Sequence, residues 1–168
     1  QYANPVLRHN GRFVRTKGFC TDLFFDQALR WIDTHRASGA PFFCCLTPNA
    51  PHSPYHAPDA WKKRYVAAGL DDAAAGFCGM VENIDANVGK LLAALDAWNL
   101  SRDTLVLFLG DNGSCHSRLF DAGLRGAKGS PHEGGTRVGL LARWTGTVAG
   151  GTACDALTAH VDLYPTLC

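Results

Sequence analysis

The 168-residue sequence has no apolar run long enough to cross a bilayer, no C-x-x-C pair, no internal repeat and no low-complexity linker. Its formal net charge is only +1. The lack of a long apolar run excludes a helical membrane span. The near-neutral charge removes the electrostatic case for a nucleic-acid partner or an anionic membrane surface. Seven cysteines are present, an odd number without metal-type spacing, which argues against a zinc site and against a dense disulfide scaffold. Mostly buried, reduced thiols are expected, because free Cys packs as a small hydrophobe. The opening Gln1-Tyr2-Ala3-Asn4-Pro5 carries no initiator Met and neither the basic nor the apolar region of a signal peptide. The last residues, Leu167-Cys168, stop in what reads as an opening helix, so both ends are expected to be cuts in a longer protein.

What is present suits a folded domain. Hydrophobic residues make up 46% and charged residues 18%. Residues 1–20 read as an irregular or short-strand entry. Thr21 or Asp22 is expected to cap a helix to about His35, with Phe25, Ala28, Leu29 and Ile32 on one face. Phe42 to Leu46 is a short apolar run bounded by turn signals, which predicts a strand buried on both faces. A Pro- and His-rich loop follows, and then Pro58 opens a short helix. The longest predicted helix runs from Asp72 to Trp98. Asp71 and Asp72 lie at its positive end, and its apolar stripe contains Met80, Ile84, Val88 and Leu95. Further strands are predicted at 104–109 and 138–144, separated by a glycine-rich loop, and a last element starts at His160. Helices alternating with strands indicate an α/β layered sheet.

Ligands of α/β sheets bind beyond the carboxyl ends of strands. Asp111-Asn112 leaves such an end. The pair reads either as an Asx turn or as hard oxygen ligands for Ca²⁺ or Mg²⁺. His52, held between Pro51 and Pro54, is a candidate proton donor or anion ligand, or else a hydrogen-bonder within its loop. Lys128, in Gly126-Ala127-Lys128-Gly129, is a candidate anion grip, or else a solvated surface lysine. The loop does not match the nucleotide-binding G-x-x-x-x-G-K-[ST] pattern. Glu133 and Arg137 read as a turn-ordering pair. Tyr55, Trp61 and Tyr65 offer ring faces to a sugar or aryl group, but core packing is the expected role.

These segments, in this order, resemble the type I sulfatases. The resemblance rests on Cys20-Thr21-Asp22-Leu23-Phe24 and Asn49-Ala50-Pro51-His52-Ser53-Pro54. It continues through Val81 to Gly89, Leu109-Gly110-Asp111-Asn112-Gly113, Gly123 to Gly129, Glu133 to Val138 and His160 to Leu167. It spans nearly the whole chain. It implies an alkaline-phosphatase-like α/β fold, here incomplete, and hydrolysis of sulfate monoesters on a small-molecule or carbohydrate substrate. It further implies one divalent cation, usually Ca²⁺, with Asp111 and Asn112 among its ligands, and His52 and Lys128 as catalytic contacts of the sulfate. An exported location follows from the same resemblance: periplasm, cell exterior or lysosome.

The family's N-terminal aspartate pair and its formylglycine motif, C/S-x-P/A-x-R, have no counterpart here. Cys115-His116-Ser117-Arg118 lacks Pro or Ala at the third position, and its Arg comes one residue early. Residues 1–168 are therefore expected to be the middle and C-terminal portion of one catalytic domain, inactive alone. Two alternatives remain open: a phosphodiesterase or phosphonate hydrolase of the same superfamily, and a degenerate sulfatase-like binding protein.

Overall fold

A computed structural model describes residues 2–114 and 119–168. The cysteine motif at 115–118 lies outside the described residues. The element order is β1 (Val6–His9), β2 (Arg12–Arg15), α1 (Cys20–Arg36), α2 (Asp59–Ala67), α3 (Asp72–Ala97), β3 (Val106–Leu109), α4 (Glu133–Thr136), β4 (Leu140–Arg143) and α5 (Leu163–Leu167). A 3-10 turn at His160–Asp162 leads into α5.

Helix α3 is the spine, packed against both α1 and α2. Its helical repeat puts Met80, Ile84 and Leu95 inward, each buried. Full burial of such a side chain contributes about 1.5–3 kcal/mol. Asp71 lies at the start of α3 as expected and does more than complement the helix dipole: its carboxylate caps the helix by accepting from the Ala74 amide at 2.8 Å. Asp72 pairs instead with Lys62 of α2.

The same face carries two wholly buried carboxamides, Asn83 and Asn87. Both donate to one carboxylate oxygen of Asp22 on α1, at 2.8 and 2.7 Å. Thus neither Thr21 nor Asp22 caps α1. The helix starts at Cys20, with Phe19 at the cap position and no side-chain cap. Buried amide groups need partners, and Asp22 supplies an acceptor for both.

Two glycines of α3 let α2 and the loop before it approach closely. A Cβ on Gly76 would lie 2.0 Å from the Tyr55 carbonyl oxygen, and one on Gly79 would lie 3.0 Å from that of Trp61. The Tyr55 ring meets Phe77 edge-on at 5.6 Å. Tyr65 lies under the Arg64 guanidinium. Tyr55 and Tyr65 therefore have packing partners within the chain.

Of the two readings of residues 1–20, irregular or short-strand, the structure shows short strands. Strands β1 and β2 are an antiparallel hairpin with Arg8 opposite Phe13 and His9 opposite Arg12. Asn10 and Gly11 both take positive φ at its tip, the combination that matches the twist of a two-residue hairpin.

Strands β3 and β4 also pair antiparallel, Val106 opposite Arg143 and Leu109 opposite Leu140. Residues 42–46, expected as a strand buried on both faces, form no strand, and Phe43 is 79% exposed. An apolar run becomes a buried strand only when neighbouring strands pair its backbone and layers cover its faces. No other described segment pairs with it here. The same geometry corrects the cysteine expectation. Cys20 is buried and Cys78 partly so, but Cys44, Cys45, Cys154 and Cys168 are exposed, and all six are free thiols. Burial raises the Cys20 thiol above its ordinary pKa.

Candidate active site

The end of β3 is tied to the glycine loop by backbone hydrogen bonds. The Gly113 amide donates to the Gly135 carbonyl at 2.9 Å, and the Lys128 amide donates to the Ser114 carbonyl at 2.9 Å. Glycine makes this contact possible. A Cβ at Gly113 would sit 2.1 Å from the Gly134 oxygen. Added Cβ atoms at Gly134 and Gly135 would each sit 2.2 Å from a carbonyl oxygen, those of Gly126 and Ser130. Positive φ at Gly126 and Gly129 turns the chain on either side of Lys128.

The structure thus brings Asp111, Asn112 and Lys128 onto two interlocked loops. The Asp111 and Lys128 residues are exposed, and Asn112 is half-buried. The Asn112 amide nitrogen donates to the Gly113 carbonyl at 3.0 Å, so the nitrogen is engaged within its own loop and the amide oxygen is the atom of this side chain that can ligate a cation. A carboxylate and an amide oxygen fit a hard cation such as Ca²⁺, but they are two donors where six to eight are usual. Among the described residues no group of three or more His, Cys, Asp or Glu side chains is placed to hold a metal. The donor set fits a cation as a partial site.

Gly110, just before Asp111, is held at both polar atoms. Its amide donates to the Gly139 carbonyl at 3.4 Å, and its carbonyl accepts from His160 Nε2 at 3.1 Å. His160 was legible in the sequence only as part of the resemblance. Its hydrogen bond joins two segments fifty residues apart, and no local pattern encodes that. An open groove of about 390 Å³ runs beside this end of β3, lined by Phe108, Asn112, Ser114, Arg137, Val138 and Leu141. Arg137 also reaches Glu133, at 3.8 Å between two exposed side chains, so the turn-ordering pair is present and loose.

His52 sits on a separate platform. Its amide donates to the Asn49 carbonyl at 3.0 Å, and its own carbonyl accepts from the Tyr2 hydroxyl. The Tyr2 hydroxyl is also 3.0 Å from the Asn49 carbonyl, and the Asn49 side-chain oxygen accepts from the Cys20 thiol at 3.2 Å. Among the described residues no hydrogen bond or ion pair joins His52 to Asp111, Asn112 or Lys128. The ring is exposed, with Nδ1 2.8 Å from the Ser53 carbonyl. A carbonyl only accepts, so Nδ1 donates the proton of this bond.

Residues 2–168 match the family model described as Sulfatase. The chain belongs to the sulfatase family. It is 33% identical to human arylsulfatase A over 94% of this chain and 29% of that protein. It is 31% identical to mouse N-acetylgalactosamine-6-sulfatase over 96% of this chain and 30% of that protein. The solved structure of Ps i-CgsB in complex with k-i-k-neocarrahexaose superposes with a TM-score of 0.90 at 34% identity, covering 96% of this chain and 36% of that one. The chain spans about three-tenths of the length of the curated relatives it matches. The α/β, alkaline-phosphatase-like architecture expected from the sequence is that of these structural neighbours, of which the chain carries a part.

Proposed function

We propose that residues 1–168 are the middle and C-terminal portion of the catalytic domain of a sulfuric ester hydrolase acting on sulfate monoesters. Its substrate is a small-molecule or carbohydrate sulfate. An exported setting (periplasm, cell exterior or lysosome) accompanies that reading. The observation that carries it is the interlocking of the Asp111-Asn112 loop with the Lys128 loop in a chain of this family.

In this reading Asp111 and Asn112 hold a divalent cation, preferably Ca²⁺, through the carboxylate and the amide oxygen. When bound, that ion supplies Lewis-acid polarisation of the sulfate oxygens. Lys128 neutralises charge that grows on the leaving oxygen, as a compact ammonium on a loop whose position the glycines fix. His52 delivers a proton from Nε2 to that oxygen, its Nδ1 proton being held on the Ser53 carbonyl. The formylglycine nucleophile belongs to a segment outside residues 1–168.

Assay of the longer protein on an aryl sulfate with Ca²⁺ tests this. Loss of the Lys128 charge or of the His52 proton donor is expected to lower kcat by about 10²–10³-fold. Unchanged kcat in both Lys128→Ala and His52→Ala overturns the assignment of these residues. Faster turnover of a phosphate diester than of the sulfate ester overturns the substrate class. The isolated chain is expected to show no turnover. Activity of that chain, abolished by Lys128→Ala, contradicts a nucleophile located elsewhere.

A further inference from the structure

The β1–β2 hairpin is a concentrated cationic surface in an otherwise near-neutral chain. Arg8, Arg12, Arg15 and Lys17 lie within it or at its end, and the first acidic residue of the sequence is Asp22. The chain holds 16 Lys and Arg against 15 Asp and Glu, so with these four set aside the rest is net acidic. Residues opposite each other on antiparallel strands project to the same side. The register therefore places Val6, Arg8, Phe13 and Arg15 on one face and Leu7, His9, Arg12 and Val14 on the other.

The first face is open to solvent. Phe13 is 80% exposed and Val6 is 52% exposed. Arg8 and Arg15 are exposed as well, and among the described residues no carboxylate pairs with Arg8, Arg12, Arg15 or Lys17. An exposed aromatic ring between two unneutralised guanidiniums offers two kinds of contact at once. The ring packs against the C–H face of a sugar, and the planar forks donate paired hydrogen bonds to tetrahedral anionic oxygens.

The hairpin is also rooted in the platform that carries His52. Asn4 and Gly18 close its base: the Asn4 amide donates to the Gly18 carbonyl at 2.8 Å, and the Gly18 amide donates to the Asn4 side-chain oxygen at 2.8 Å. Tyr2, two residues before Asn4, bonds the Asn49 and His52 carbonyls and stacks on Phe19 at 5.8 Å.

We infer that the β1–β2 hairpin is a docking surface for a sulfated polysaccharide, which it grips outside the reacting centre and holds beside the His52 loop. The choice of a sulfated sugar chain rests on the sulfate-ester reading above. The polyanion-binding surface itself rests on charge, exposure and register alone. Arg8 and Arg15 take sulfate groups, and Phe13 takes the sugar ring between them.

Calorimetry of the full chain with a sulfated carrageenan oligosaccharide, an unsulfated agarose oligosaccharide of equal length and a DNA duplex of equal charge tests this. The double variant Arg8→Gln/Arg15→Gln is expected to bind the carrageenan about tenfold more weakly, since charge-assisted hydrogen bonds are lost. Its melting temperature should match the parent's, because both side chains are exposed. The control Arg30→Gln/Lys63→Gln removes the same charge from elsewhere on the surface and is expected to leave binding within about twofold. Phe13→Ser should weaken carrageenan binding while leaving the response to salt unchanged. Equal weakening by the two double variants reduces the hairpin to general charge and overturns the inference. So does DNA binding as tight as carrageenan binding, or agarose binding as tight as either. Lys128→Ala should retain parental carrageenan affinity. In the longer protein, loss of turnover in that variant with binding intact separates the docking surface from the proposed catalytic site.

Discussion

Gly113→Ala tests the interlocking of the two loops directly. The added methyl would meet the Gly134 carbonyl oxygen at 2.1 Å and the carbonyl carbons of Gly134 and Gly135 at 2.7 Å. These are main-chain atoms in a short helical turn, so no side-chain rotation relieves the contact. Real Cβ atoms stay 3.0 Å or more from such neighbours. The segments must then part by about 1 Å, an overpacking strain of about 1–3 kcal/mol. That parting stretches the 2.9 Å bond from the Gly113 amide to the Gly135 carbonyl beyond use. Its loss adds about 0.5–1.5 kcal/mol. The expected destabilisation is about 1.5–4.5 kcal/mol, read by urea unfolding. For a chain of this size that corresponds to a fall in Tm of roughly 3–18 °C. Gly139→Ala is the control, because a Cβ there meets no atom within 4 Å. It should change stability by no more than about 0.5 kcal/mol. If Gly113→Ala unfolds at the same urea concentration as Gly139→Ala, the two loops are not locked together and the proposed site loses its foundation.

Other substitutions probe the scaffold beneath the site. Asp22→Ala removes the acceptor of one buried N–H on each of Asn83 and Asn87, although Asn87 keeps its 2.9 Å bond to the Asn83 carbonyl, and should cost about 2–5 kcal/mol in denaturant unfolding, with Asp22→Asn costing less because it keeps an acceptor oxygen. Gly76→Ala should lower stability although alanine favours helix by about 1 kcal/mol, because its methyl would press on the Tyr55 carbonyl; a rise in Tm would refute this packing. The Asp96 carboxyl is held below its ordinary value of 3.8, first by the Ser101 hydroxyl and then by Arg143. A depressed folded-state pKa gives stability that is present above that ordinary value and lost as pH falls through the folded one. Asp96→Asn should therefore flatten the acid end of the stability-against-pH curve while leaving its slope near neutrality unchanged.

The helices were legible because their signals are local. The 3.6-residue spacing of Phe25, Ala28 and Ile32, and of Met80, Ile84 and Leu95, marks faces that any helix over those residues must bury. The Asp71 cap is equally local. The Asn10-Gly11 tip was also a local signal, the two-residue type that takes positive φ, and reading it would have turned residues 6–15 into a hairpin. The run at 42–46 shows the opposite limit. Its apolar character describes the surroundings it suits, while strand formation depends on partners that the described chain does not place beside it.

Asp111, Asn112 and Lys128 divide the same way. Their order and chemistry, together with the resemblance across the chain, determined the family and the candidate residues, since motif spacing is preserved in the linear sequence. Only the tertiary structure decided that Gly113, Gly134 and Gly135 let the two loops touch through their backbones. The same is true of the His160 ring that closes on Gly110, and of the Tyr2 hydroxyl that binds the His52 loop to the hairpin. These are contacts between residues far apart in sequence, and their energies depend on atomic distances that no local pattern carries.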